Sequence, residues 1–186
     1  MGHRFDPKHV AKLDNPERRK LLPPEDILNR LDVQPHHAVA DVGCGPGYFT
    51  IPLARMTRGR VYGIDVSSDM LALLANRAAE AGLTHIEQVQ APAEHIPLPD
   101  ASVDRILCSL VLHEVDDLDQ TLAEFRRLLK PGGRVMVIEW EKKPMEAGPP
   151  MHERIEAVEL ETKVQAAGFQ TDIWRPNPQH YIVLAQ

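Results

Sequence analysis

Cysteine, net positive charge and long apolar runs are all scarce in this 186-residue chain. Each scarcity removes a class of function. Cys44 and Cys108 are the only cysteines, too few for a disulfide framework or a thiolate metal site. His36 and His37 stand side by side and lack the helical spacing of a ligand pair, so no metal is expected. Lys and Arg number 21 against 27 Asp and Glu, for a net charge of -6. Affinity for polyanions such as nucleic acid is not expected, because phosphate binding relies on a positive field. The basic residues of the first thirty positions, Arg18 and Arg19 among them, are diluted by Glu17, Glu25 and Asp26. No apolar run approaches the roughly 20 residues that cross a bilayer. The opening MGHRFDPKHV also lacks the apolar core of a secretory leader. A cytoplasmic protein with no membrane partner is the expectation, and the sequence leaves its oligomeric state open.

Two kinds of segment alternate along the chain. Short β-rich runs lie at 39–41, 60–65, 85–90, 104–110 and 133–140, followed by FQTDIW and HYIVLAQ. Helical stripes separate most of them: Leu71, Leu74, Ala78 and Ala81; then Leu118, Leu122, Phe125 and Leu129; then Ala157, Leu160, Val164 and Ala167. Strands that alternate with crossover helices predict a parallel sheet covered on both faces. Only RPNPQ joins the last two strands, too little for a parallel crossover, so they form an antiparallel pair. The predicted fold is α/β: a Rossmann-like three-layer sandwich around a seven-stranded, mostly parallel sheet with an antiparallel last strand. Residues 1–186 read as a single domain, with 1–34 a helical lid segment and 35–186 the core.

VADVGCGPGYFT places Gly43, Gly45 and Gly47 at alternate positions directly after the first strand. Open α/β sheets bind ligands beyond the carboxyl ends of their strands. Glycine there permits close backbone approach, and the amides opening the next helix favour a negative group. A tight turn without a ligand is the plainer reading of such a loop. Asp65 ends the second strand in VYGID, about twenty residues on, where a carboxylate can accept from ribose hydroxyls. The same Asp also suits a helix start before Ser67. Together loop and acid point to a nucleoside-containing cofactor. A dinucleotide fingerprint requires a sixth-position glycine, and that position is Tyr48.

With ADVGCGPG, YGIDVSSDML, APAEHIPLPDASVD, SLVLHEV and LLKPGGRVMVIEW, the chain resembles the class I S-adenosylmethionine-dependent methyltransferases. It is most similar to their small-molecule group, which includes the ubiquinone and menaquinone biosynthesis enzymes. The resemblance covers residues 35–140 well. It implies S-adenosyl-L-methionine as cofactor and a small-molecule methyl acceptor. It also implies that Asp41 and the Gly43–Gly47 backbone hold the methionine end, with Cys44 a small filler. Asp65 takes the ribose, and Val66 and Met70 pack on the adenine, although Met70 reads equally as helix core. Pro92 stands where similar enzymes carry an adenine-binding Asp, so Ala93 or Glu94 is the expected substitute. Ser109 and Leu110 lie by the sulfonium end.

Under the same resemblance His113 is the candidate catalytic base, against a plainer role in packing or orienting substrate. Glu114 is expected to serve the helix start at Asp116-Asp117. Phe5 and His9 belong to the lid, and Trp140, Met145 and Met151 to an apolar acceptor wall. Two other readings stay open: an NAD(P)-dependent oxidoreductase, and a cofactor-binding module without catalysis.

Overall fold

The computed structural model describes residues 16–186; Phe5 and His9 lie outside them. The described residues begin with α1 (Pro16–Leu21), α2 (Pro24–Leu28) and a short 3-10 turn (Asn29–Leu31). It continues through β1 (Val39–Val42), α3 (Thr50–Met56), β2 (Val61–Asp65), α4 (Ser68–Glu80), β3 (Ile86–Gln90) and β4 (Val103–Ser109). After a 3-10 turn (Leu112–Glu114) come α5 (Leu118–Leu128), β5 (Leu129–Trp140), α6 (Ala157–Ala166), β6 (Thr171–Asn177) and β7 (His180–Ala185).

The seven strands form one sheet in the order β3-β2-β1-β4-β5-β7-β6. Strands β1 to β5 run parallel, and β7 lies antiparallel to both of its neighbours. The hairpin inferred from the short RPNPQ link is therefore present, with the last strand inserted between β5 and β6. Strand order reverses between β1 and β4, which opens a crevice at their carboxyl ends.

Helices cover both faces because successive strand residues point to opposite sides. Val39, Leu107, Met136 and Ile138 pack with Leu22, Ile27, Leu28 and Leu53. Their neighbours Ala40, Ile106, Val135 and Val137 pack on the other side with Leu122, Phe125, Leu160 and Val164. Each of these Val, Leu, Ile, Met and Phe side chains contributes about 1.5–3 kcal/mol by leaving water.

Two local expectations are corrected. Ala81 is exposed, since α4 ends at Glu80 and the chain turns at Gly82 with φ +68°. Leu129 opens β5 instead of closing α5. It pairs with Val103, the next pair is Arg105 with Arg134, and residues 130–133 bulge out between them opposite Asp104. Lys130 Nζ closes the bulge on Asp104 Oδ2 at 2.8 Å.

Candidate functional site

A cavity of about 880 Å³ lies over the carboxyl ends of β1, β2, β4 and β5. That is within the usual range for a small-molecule site.

The loop after β1 forms its floor. The amides of Gly43 and Cys44 both donate to Ile64 O, at 2.8 and 2.9 Å, and Gly47 N donates to Cys44 O at 3.0 Å. Gly43, Gly45 and Gly47 all have positive φ, at 70°, 52° and 95°. A Cβ on Gly43 would come 2.1 Å from the Val111 side chain, and one on Gly47 would come 2.7 Å from Leu74. These two glycines thus make room for the protein's own side chains. Gly43 and Gly45 line the cavity, whereas Gly47 stands behind it.

Two acids meet beside the loop. Asp65 Oδ2 accepts from Gly45 N and Oδ1 from Ser67 N, both at 2.9 Å. Burial raises its pKa, and the two amides limit the rise. Asp41 is almost fully buried and accepts from Thr50 Oγ1 at 2.6 Å. Burial pushes its pKa up to about 7, with the Asp65 charge adding to the effect. Removal from water disfavours a charged carboxyl, so this one gains from any cation brought beside it.

Val66, Met70, Ala93 and Ser109 also line the cavity, and Ser109 Oγ has no hydrogen-bond partner. Met70 is both helix core and cavity wall. Leu110 also lines the cavity and adopts φ +61°, a left-handed backbone that costs a leucine roughly 1–2 kcal/mol. Cys44 Sγ contacts Gly45 O at 3.5 Å, and burial holds its thiol well above the ordinary pKa. The residue is buried and also lines the cavity.

The two glutamates exchange the places expected of them. Glu94 stays out of the cavity, where its Oε1 accepts from the amides of Asp116 and Asp117 at 2.8 and 3.4 Å. It braces the segment before α5. Glu114 instead lines the cavity, with Oε1 3.6 Å from His113 Nε2.

His113, the candidate base, has a carboxylate beside each ring nitrogen. Its Nδ1 lies 2.8 Å from Glu139 Oε2 and 3.1 Å from Oε1, and its amide donates to Oε1 at 3.3 Å. Burial works against a charged ring, but Glu139 and Glu114 outweigh it and lift the pKa to about 10. An imidazolium at neutral pH has no lone pair to take a proton. The geometry favours the orienting role that the sequence also allowed.

At the far end, Trp140 lines the cavity but Met145 and Met151 do not; Gly148, Pro149 and Pro150 replace them. Arg18, Leu21 and Leu22 close the wall from α1 and the turn after it. Sequence reasoning missed Glu139 and His180. Glu139 had a signal: a charged residue inside the apolar run GRVMVIEW. His180 opens a strand with no motif around it.

The chain matches the methyltransferase-domain family over residues 40–137. A crystal structure of a SAM-dependent methyltransferase from Aquifex aeolicus superposes with a TM-score of 0.91 at 31% identity, covering 98% of both chains. The chain belongs to the class I S-adenosylmethionine-dependent methyltransferases. Demethylmenaquinone methyltransferase of Geobacillus sp. (strain WCH70) is 36% identical over 66% of this methyltransferase and 53% of the relative. Methyltransferase GfsG of Streptomyces halstedii is 36% identical over 73% and 48%. The chain thus spans about half the length of these curated relatives. The [4+2]-cyclase SpnF shares the fold with a TM-score of 0.77 at 25% identity, over 88% of this chain and 80% of that one.

Proposed function

We propose that this protein transfers a methyl group from S-adenosylmethionine to a small-molecule acceptor. The observation that carries this reading is one cavity with two unlike ends: buried Asp41 and amide-held Asp65 at one, Trp140 and Leu22 at the other. When bound, S-adenosylmethionine supplies an electrophilic methyl group on a positively charged sulfur.

The residues present fit that cofactor. Asp41 would meet its ammonium, and the pairing would offset the cost of keeping this carboxylate buried. Asp65, with both oxygens fixed by amides, would accept from the ribose hydroxyls. Val66, Met70 and Ala93 offer an apolar bed for the adenine, and Ala93 stands in for the acid that Pro92 replaces. The chain's contribution to rate is then chiefly alignment and exclusion of water. Alignment is worth about 7–11 kcal/mol in favourable intramolecular reactions. His113, clamped by Glu139, fixes the loop after β4 instead of removing a proton.

The described part of the segment read as a lid, residues 16–34, packs Leu22, Ile27, Leu28 and Leu31 into the core and closes one wall of the cavity through Arg18, Leu21 and Leu22. Asn177 Nδ2 supports this by donating to Leu21 O at 2.7 Å, tying the end of α1 to the cavity's far end. A cytoplasmic setting is supported by two free, buried thiols. Action on a small molecule without nucleic acid is supported by the net charge of -6. No helix among the described residues is long and apolar enough to cross a membrane.

Calorimetric titration with S-adenosylmethionine, S-adenosylhomocysteine and NAD, with Asp65→Ala as control, tests the cofactor. Micromolar binding of the first two, lost in the control, is expected; binding of NAD alone would return the oxidoreductase reading. The likeness to a cyclase keeps a second reading in view, in which the cofactor is held without methyl transfer. Release of S-adenosylhomocysteine across a panel of phenols, thiols and carboxylates separates the two.

A further inference from the structure

Between β5 and α6 the chain runs from residue 141 to residue 156 with neither helix nor strand. Loops of that length are uncommon in a compact domain and usually carry function. This one contains Pro144, Gly148, Pro149 and Pro150, and a proline has no amide to donate. Its backbone bonds lie near its two ends. Glu141 N donates to Gln179 O at 2.9 Å, Lys143 N to Glu141 O at 3.0 Å, and Glu153 N to Pro150 O at 3.0 Å. Among the described residues, no backbone group bonds to the backbone of residues 144–149.

One side chain holds that stretch instead. Arg154 is 4% exposed. Its Nε donates to Pro149 O at 2.8 Å, its Nη1 to Glu141 O and Lys143 O at 3.2 and 2.8 Å, and its Nη2 to Ala147 O at 2.9 Å. Four N–H groups of one rigid plane thus fix four loop carbonyls relative to one another. A lysine carries its donors on a single atom at the end of a flexible stem and cannot reproduce that fork.

The guanidinium arranges a wall that it does not itself reach. Ala147, Gly148, Pro149 and Pro150 line the cavity, and Arg154 does not. Gly148, at φ +91°, lies directly against the indole of Trp140, where an added Cβ would come 2.9 Å from Cδ2. From β7 the ring of His180 packs on the same indole, with centroids 4.3 Å apart. Trp140 is therefore locked in place on the cavity wall, and Leu21, Leu22 and Phe49 extend the apolar lining. Glu146 and Glu153 line the cavity too but keep contact with solvent. What such a lining offers a ligand is removal of its apolar surface from water.

We propose that Arg154 is a positioning residue for the methyl acceptor: by clamping residues 141–149 it sets the wall of Trp140, Gly148, Pro149 and Pro150 as a subsite for uncharged, largely apolar small molecules. The proposal rests on the methyltransferase reading above. Arg154 acts only through the loop, so its loss should be felt by the acceptor and not by the cofactor.

The test uses the S-adenosylhomocysteine-loaded protein and 2-naphthol as the probe. In the unaltered protein 2-naphthol is expected to bind in calorimetry and to move the indole Nε1–H resonance of Trp140. Arg154→Lys should weaken 2-naphthol by about tenfold or more and leave S-adenosylhomocysteine affinity within about twofold, a split that a general loss of structure would not give. Gly148→Ala keeps the guanidinium and pushes the loop off the indole. It should show the same split, and it keeps the proposal testable if Arg154→Lys does not fold. No binding of 2-naphthol, an unmoved Trp140 resonance at saturating probe, a smaller loss of 2-naphthol affinity in either variant, or equal loss of both ligands would each overturn the proposal. Failure of S-adenosylhomocysteine to bind the unaltered protein at all would instead overturn the methyltransferase reading, and this proposal with it.

Discussion

Two histidines line one cavity and are treated in opposite ways. His113, after β4, lies between two carboxylates, and its ring is held charged. His180, at the start of β7, has an amide on one nitrogen and nothing on the other, and burial, helped by two nearby arginines, keeps it neutral. Both are buried and both line the cavity. The difference comes from the charges around each ring and not from exposure. Titrating behaviour at such a site cannot be assigned from residue type or from nearness to a motif.

The comparison breaks most visibly at His113. Removing one member of a buried ion pair strands the other, at a cost of about 3–5 kcal/mol. His113→Ala should therefore lower stability by that amount in urea unfolding, because Glu139 is wholly enclosed. A loss below 1 kcal/mol would show that the pair is not charged in the folded state. The pH dependence has a definite sign. The native ring keeps its proton up to about pH 10, while an unfolded histidine releases it near 6.5. The stabilisation is full below pH 6.5 and is lost as pH rises through 10. The unfolding midpoint should fall over that range, and the fall should be flatter in the variant.

The acid at the end of β2 comes next. Asp65→Asn keeps the size of the side chain but removes the charge that ribose hydroxyls would meet. Hydrogen bonds to charged groups are worth about 1.5–3 kcal/mol. Affinity for S-adenosylhomocysteine should drop by roughly 10- to 150-fold in calorimetry, with His180 and the far end undisturbed. An unchanged affinity would remove Asp65 from the site.

Legibility in the sequence follows the same division. The cavity end proposed to hold the cofactor was readable as a cluster because its parts are short-range: glycines, a strand-ending Asp and a helix stripe sit within about thirty residues. The antiparallel β7 was readable from the length of one link. Of the far end only Trp140 was readable, since the rest is assembled from Leu22, Gly148 and His180, segments that only the fold brings together. The exchange of Glu94 and Glu114 shows the same limit. Each lies in a motif that resembles the family's, yet which glutamate reaches the loop amides depends on how the segment after Ala93 passes the start of α5.

The smallest expected effect is also the one that separates stability from binding. Asp41 keeps its proton in the folded protein to about pH 7, against 3.8 in a model carboxyl. A folded-state pKa raised in this way means that stability is lost as pH climbs through that window. Asp41→Asn retains an oxygen to accept from Thr50 and removes the ionisation. The unliganded variant should gain about 0.5–2 kcal/mol at pH 8, the range typical when a strained functional group is relieved. The gain should shrink as pH falls through that window and vanish near pH 3.8 and below, where the unfolded carboxyl is protonated too. Binding should move the other way, because the ammonium of S-adenosylmethionine would lose its carboxylate, and affinity should fall most at pH 8. A variant that is more stable yet binds as tightly as before would mean that Asp41 supports the loop and meets no cation. A variant that is less stable at both pH values would mean that the charged form is already paired in the unliganded protein.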